Sequence, residues 1–407
     1  MTSPSALESR DFRILLGSGL ISLTGTQMQR VAVAWQIYLL THSPVSLGLL
    51  AFFRVAPMIA LALGGGVVAD AVDRRRMQIF TQTLLAASSG LLAAANIFHF
   101  SSVPIIYAAA LVAGGAAAFD MPARQALIPQ LVSREQLPSA LGLLTTCFQL
   151  SMVCGPAIAG YALARFGVTA VYVFDVASFF AVICGLLVIR HREPKRSKSD
   201  ISLRAALDGI RFAWKTPILA QLMAVDFVAT FFAGSLLLLP IFAAEIFHCG
   251  PTGLGWLYAA QPMGAALASL VLALRPPSQR GSNVLWAAGA YGAAIATFGL
   301  MHNFWLALFF LALSGAADAI SMVIRQTVRQ LLTPDELRGR MTSLNMIFFI
   351  GGPQLGEVEA GVVARFLGVR FAVVSGGLVC VAVVLGAALW APTLRQFGGE
   401  NTNISPG

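Results

Sequence analysis

Six ionisable residues stand inside otherwise apolar runs: Arg30 and Arg54 in the first half of the chain, and Asp226, Asp318, Glu357 and Glu359 in the second. A charge in a hydrocarbon layer costs on the order of a few kcal/mol, so it is retained where it pairs, lines a polar cavity or carries an ion. Glu357 and Glu359 are the leading pair for proton transfer. Neighbouring carboxylates in a dry site do not both ionise cheaply, so one of them can bind and release a proton near neutral pH. Each proton entering along a membrane potential would contribute about 2.3 kcal/mol per 100 mV. Asp226 is a third candidate for that role. The i, i+2 spacing of the two glutamates puts them on different faces of a helix, which equally suits one of them to a fixed ion pair. Arg54 and Arg30 can attract an anionic part of a substrate or pair with an acid across a bundle.

Other charged groups sit near the ends of apolar runs. Asp120 and Arg124 are spaced i, i+4, the separation of a local helical pair. Asp318 and Arg325 close the corresponding segment of the second half. Structural or gating roles suit these four. Asp175 also lies near a helix end. "GGGVVADAVDRRRM" (64–77) combines glycines, Asp70 and the triplet Arg74, Arg75 and Arg76, which on its own reads as an anchor to an anionic membrane surface.

Other chemistries lack their residues. There is no Gly-x-x-x-x-Gly-Lys-Ser/Thr phosphate loop. His42, His99, His248 and His302 fall near loops on one side and His191 near mid-chain, without metal-ligand spacing. Cys147, Cys154, Cys184, Cys249 and Cys380 show no metal or redox spacing and read as small buried hydrophobes. No nucleophile–base pairing or metal cluster points to a membrane enzyme, and no added soluble domain points to a sensor. No cofactor is expected.

The elements that must position these residues follow from composition. The chain is 57% hydrophobic and 11% charged, with a mean hydropathy of +0.78, whereas soluble domains carry roughly 25% charged residues. Apolar runs near 20 residues recur along its length, without the alternation of barrel strands. The expectation is an all-α polytopic membrane protein with helices near 12–40, 46–69, 77–98, 103–123, 139–164, 168–189, 218–244, 253–274, 282–301, 304–324, 341–364 and 369–390. With both termini cytoplasmic, the inner segments hold most of the basic residues, and the outer loops hold Arg165, Arg365 and Arg370. That bias is the positive-inside rule. The formal charge of +9 is then topological, which argues against a nucleic-acid partner. No cleavable leader is evident, so the first apolar run is expected to remain a spanning helix.

The chain also repeats itself. "RQALIPQLVSREQLPSAL" from Arg124 returns as "RQTVRQLLTPDELRGRM" from Arg325, and "GPAIAGYALARFGV" from Gly155 returns as "GPQLGEVEAGVVARFLGV" from Gly352. Two six-helix bundles, 1–189 and 218–395, are expected to share one orientation, with a substrate site between them near the midplane. They are joined by a cytoplasmic linker, 190–217, containing an interfacial amphipathic helix. A cytoplasmic tail, 396–407, follows.

The pattern Gly-x-x-x-Asp-x-x-Gly-Arg-Arg/Lys is the signature of the major facilitator superfamily, and Gly66, Asp70, Arg74 and Arg75 match it. Asp73 replaces the usual glycine of the left-handed turn, a conformation aspartate tolerates better than most residues. The second-half counterpart, "RPPSQRG", is degenerate. Segments such as "LLAFFRVAPMIALALGGGVVAD" and "AAAFDMPARQALIPQLV" resemble the drug- and siderophore-exporter branch, and the resemblance spans nearly all of 10–390. It implies that Asp70 and the arginines latch the cytoplasmic side, and that Gly155-Pro156 in helix five corresponds to the antiporter motif of exporters. The function so implied is export of an amphipathic small molecule by alternating access with proton antiport, from a monomer in the inner membrane. The partners would be substrate, protons and lipids. A lipid flippase on the same scaffold is the alternative.

Overall fold

The computed structural model describes residues 5–71, 73–189, 216–275, 281–334 and 337–390. The interfacial helix expected within the linker and the tail 396–407 lie outside them. Among the described residues the chain is helical, with no strand. The long helices are α1 Arg10–Thr41, α2 Pro44–Ala71, α3 Arg74–Ile97 and α4 Val103–Leu131, followed by a continuous run Leu137–Val188. That run is interrupted by the non-helical Gly167 (φ 75°), which divides it into α5 (137–166) and α6 (168–188). Then come α7 Pro217–Phe232, α8 Gly250–Leu274, α9 Gly281–Leu300, α10 Phe304–Leu332, α11 Arg338–Leu367 and α12 Val369–Trp390. By length and composition, 8 of the helices in the described residues can cross a membrane, the 52-residue run Leu137–Val188 among them. At 1.5 Å per residue that run is about 78 Å long, enough for two crossings.

Local chemistry sets the boundaries. Ser9 caps α1 by accepting from the Phe12 N–H, and proline occupies the first turn of α4, α5 and α7, where its missing N–H costs nothing. Left-handed residues fall where α1, α3, α5 and α11 end, at His42, His99, Gly167 and Gly368, and just before α8, at His248 with Gly250. Three of these positions use histidine rather than glycine, at φ 48°, 58° and 49°.

Three expectations need correction. α4 and α10 do not stop near 123 and 324 but continue about two turns, so the repeated segments are largely helical. The extension of α4 is held by its own apolar cluster, Leu127, Ile128 and Leu131 packing with Phe12, Val182 and Leu186. The helix expected over 218–244 ends at Phe232 and continues as the 3-10 turn Leu236–Leu238, a short helix and the π-turn Phe242–Ile246. Gly234-Ser235 and Pro240 interrupt the hydrogen-bond ladder there. Asp73 is not left-handed (φ −55°); its carboxylate caps α3 by accepting from the Arg76 N–H.

The chain divides into two compact units: Met1–Asp200 with His248–Ala259, and Ile201–Phe247 with Ala260–Gly407. Each buries polar residues and exposes apolar ones, the reverse of a soluble protein. Gln78, Ser89 and Asp175 in the first unit are fully buried, as are Ser314 and Ser321 in the second, while Trp286 is 79% and Phe366 80% exposed. Matching close crossings recur in the two units. A Cβ at Gly114 would overlap the Arg54 carbonyl where α4 meets α2, and a Cβ at Gly315 would overlap the Gln261 carbonyl where α10 meets α8. Small residues let membrane helices approach this closely.

Candidate functional site

In the first unit two of the three arginines that open α3 reach carbonyls of neighbouring helices, and Arg76 is exposed. Arg74 is buried and its Nη1 donates to the Ala126 carbonyl of α4 at 2.8 Å. Arg75 Nη2 donates to the Leu187 carbonyl of α6 at 2.9 Å. Two main-chain carbonyls near helix C-termini thus receive cations, a favourable end for positive charge. Gly66 and Asp70 lie in the last two turns of α2, with side chains outside the described set. Two turns into α3, Thr81 Oγ1 and Gln82 Nε2 donate to Asp120 Oδ1 at 2.8 and 2.9 Å, while Arg124 Nη2 lies 3.3 Å from Oδ2. An N-terminal strap closes over this end. Ser9 Oγ donates to the Leu131 carbonyl at 2.7 Å, and the Ala6 N–H donates to Ser139 Oγ at 3.3 Å.

The second unit places its charges differently. Arg325 Nη2 is 2.7 Å from Asp226 Oδ1 across the α7–α10 contact and 3.7 Å from Asp318 Oδ1. The shorter contact is an ion pair whose angles fall outside hydrogen-bond geometry, since that oxygen has no hydrogen-bond donor. Arg325 Nη1 donates to Ser321 Oγ at 2.8 Å. Both Arg325 and Asp226 side chains are 10% exposed, so neither charge is solvated and each depends on the other. In the repeat Arg325 stands where Arg124 does, and Ser321 where Asp120 does. The carboxylate has moved from the arginine's own helix to a neighbouring one.

Glu357 and Glu359 are half-buried on α11, beside its crossing with α7. There Gly356 lies against the Phe231 carbonyl, and a Cβ at Gly352 would come within 2.9 Å of Thr230 Oγ1. The equivalent Gly155 lies against α1: its Cβ would meet Gln27 Cβ at 2.6 Å and the Thr24 carbonyl at 3.1 Å. Gly155-Pro156 is thus a close-packing position in the described structure. Arg54 is half-buried on α2 and Arg30 exposed on α1, where Arg30 Nη1 donates to Gln27 Oε1 at 3.3 Å. The structure brings Asp226, Asp318 and Arg325 together, and Asp120 with Arg124.

Sequence reasoning missed the buried polar network of α1, α3 and α6. Asp175, expected near a helix end, is 0% exposed. Its Oδ2 accepts from Ser89 Oγ at 2.6 Å, and Ser89 Oγ accepts from Gln29 Nε2 at 2.7 Å. Tyr172 Oη donates to Gln36 Oε1 at 2.6 Å. Gln36 Nε2 donates to Asn96 Oδ1 and Ser101 Oγ at 2.7 and 2.8 Å. A signal was present: Gln29 and Gln36 on α1, and Ser89 and Asn96 on α3, are each seven residues apart, two turns along one face.

A bundle of apolar helices with polar interiors, duplicated crossings and an arginine-bearing α2–α3 segment defines a multi-pass membrane transporter of the major facilitator superfamily. The model of one family within it, described as transmembrane secretion effector, matches residues 1–404, and the chain belongs to that family. It is 29% identical over 390 residues to the enterobactin exporter EntS of Citrobacter koseri, covering 95% of this chain and 93% of that one. Among solved structures it resembles a POT family transporter in complex with 5-aminolevulinic acid (TM-score 0.75, 10% identity, 95% of this chain and 97% of the other). It also resembles a bacterial homologue of the lysosomal transporter Spinster in an inward-facing, unoccupied conformation (TM-score 0.74, 14% identity, 96% and 98%). At those identities the two structures speak to the fold alone.

Proposed function

We propose that this chain is a secondary active exporter that carries an amphipathic small molecule, a siderophore or a compound of similar chemistry, out of the cytoplasm by alternating access with proton antiport. The observation that carries this reading is the end-to-end match to an enterobactin exporter, spanning 95% of the chain. The buried charges support it, because ionisable groups inside a membrane bundle mark ion or substrate pathways. Glu357, Glu359 and Asp226 are the proton-coupling candidates. Arg54 and Arg30 are candidates for an anionic portion of the cargo, to which a guanidinium offers a planar, charge-assisted fork. Gly66, Asp70, Arg74 and Arg75, together with the Asp120–Arg124 and Asp318–Arg325 pairs, form the cytoplasmic gate. Both termini face the cytoplasm, and 1–189 and 218–395 act as the two moving halves.

The reading is tested with the full chain in proteoliposomes, using a catecholate siderophore as the probe. An imposed proton gradient should drive siderophore flux against the proton flow. Glu357→Gln combined with Glu359→Gln should reduce that flux at least tenfold. Flux indifferent to the gradient, or normal in the double variant, overturns the coupling assignment.

A further inference from the structure

We propose that Asp175 is a proton-binding site built into the first unit, enclosed where α1, α3 and α6 meet. The carboxyl is enclosed by α1, α3 and its own α6. Oδ2 accepts the single Ser89 hydroxyl, and Oδ1 has no partner although it is buried. Ser178, one turn on, donates instead to the Asp175 main-chain carbonyl at 2.7 Å. Gly25 of α1 lies directly beneath: a Cβ there would approach Asp175 Oδ1 to 2.9 Å and Ser178 Oγ to 2.6 Å. The site therefore exists only because α1 is bare at that point.

The charged and titratable groups on the packed elements leave the carboxyl without a cation. On α1 the nearest charged residue is Arg30, whose Nη1 reaches Gln27. On α3 no charged residue follows Arg76. On α6 Asp175 is the only charged residue, and the titratable neighbour Tyr172 gives its hydroxyl proton to Gln36. A carboxylate so buried is stable as an ion only with a cation or several donors, and one serine does not meet that need. As the neutral acid, with the proton on Oδ1, it fits the enclosure. Releasing the proton requires water or a counter-ion to enter between α1 and α6, so ionisation and the seating of α1 are one equilibrium. α1 also carries the Thr24–Gln27 face against which Gly155 packs.

A second polar group lies beside the site: Ser101, half-exposed in the α3–α4 connection, accepts from Gln36, which accepts from Tyr172, three residues from Asp175 on the same helix face. In transport this site would act beside Glu357 and Glu359, and in that role it rests on the proton-driven reading above. Proton binding itself needs no cargo.

The test is an infrared pH titration, from about pH 5 to about pH 9, of the full-length chain reconstituted in phospholipid vesicles, with the proton as the only ligand. The expected result is a protonated-carboxyl C=O band that titrates in the wild type and is lost completely in Asp175→Asn. It should persist when Glu357 and Glu359 are both glutamine. Should Asp175→Asn fail to assemble, Ser89→Ala must shift the frequency of the titrating band, because it removes the one donor to the carboxyl. An acid band that never titrates, a titrating band untouched by both Asp175→Asn and Ser89→Ala, or no acid band at any pH overturns the proposal. Siderophore flux that ignores a gradient while the Asp175 band titrates overturns the drive, not the site.

Discussion

Replacing Arg325 by glutamine should be among the most destabilising single changes available in the second unit. The guanidinium stands 2.7 Å from Asp226 and 3.7 Å from Asp318, with the Arg325 and Asp226 side chains each 10% exposed. Removing it takes the contacting cation from Asp226 and leaves Arg329 as the remaining arginine whose charge acts on it, a loss of up to about 3–5 kcal/mol. Asp226→Asn should cost less, about 1–3 kcal/mol, because Arg325 keeps Ser321 and Asp318. The double variant leaves only Asp318 without its arginine, and that side chain is 36% exposed, so the two losses should not add. The coupling energy decides what holds α7 to α10. Hydrogen bonds within membrane bundles couple by about 0.6 kcal/mol on average and about 1.7 at most, so a coupling above about 2 kcal/mol identifies a charge pair. Reversible unfolding of the full chain in mild detergent, run as a double-mutant cycle, gives that number. Arg124→Gln is the internal comparison. Asp120 would still accept from Thr81 and Gln82, and Arg124 is 22% exposed, so its loss should be about 1 kcal/mol. Losses at Arg325 and Asp226 that add within about 0.5 kcal/mol, or an Arg124→Gln variant as damaged as Arg325→Gln, would refute the reasoning.

The close crossings make a second prediction. Gly114→Val places side-chain atoms in the space of the Arg54 carbonyl and should lower stability by about 1–3 kcal/mol or more, whereas a Cβ at Gly142 meets nothing within 4 Å, so Gly142→Ala should be neutral or stabilise by up to about 1 kcal/mol. The same unfolding assay reads both, and equal losses would refute the crossing. Orientation can be checked by labelling single cysteines, in a background without the native five, at Arg134, Pro334, Phe98 and Phe366. The first two should react from the cytoplasmic side and the last two from the other. Reaction of Arg134 and Pro334 positions from opposite sides would remove the duplicated architecture.

What could be read from the residues, and what could not, divides along physical lines. The spanning helices were legible because hydrocarbon selects continuous apolar runs, and the kinks at Gly167 and the proline sites announce themselves. The ends of α4 and α10 were not, because past the apolar stretch the helices continue on amphipathic turns. Their stabilising cluster, Leu127 and Ile128 against Phe12 and Leu186, joins residues remote in sequence. The break after Phe232 was hidden in an unbroken apolar run that hydropathy cannot divide. Among the charges, the Asp120–Arg124 pair lies on one helix and shows in its spacing. The Asp226–Arg325 pair spans α7 and α10 and leaves no local trace. Asp175 was placed too near a helix end, yet the seven-residue polar stripes of α1 and α3 mark the face that receives it.

The repeat shows which features a duplicated bundle can alter. Close crossings that leave no room for a Cβ stand at equivalent places: Gly114 and Gly315 against backbone carbonyls, Gly155 and Gly352 against side chains of α1 and α7. The arginines of the repeated segment stand at equivalent places too. Their acid partners do not, because charge compensation depends on distance and not on which helix supplies the carboxylate. In the first unit Asp120 and Arg124 ride on one helix, and Asp120 also accepts from Thr81 and Gln82, so hydrogen bonds tie α4 to α3. In the second the acid sits on α7 and the base on α10, so the same charges become a strap between two helices. Any motion that separates α7 from α10 must first break or resolvate that strap, which a desolvated ion pair resists. The two units therefore share one scaffold but tie their helices differently: the second with a desolvated ion pair between α7 and α10, the first with hydrogen bonds to the Asp120 carboxylate between α3 and α4.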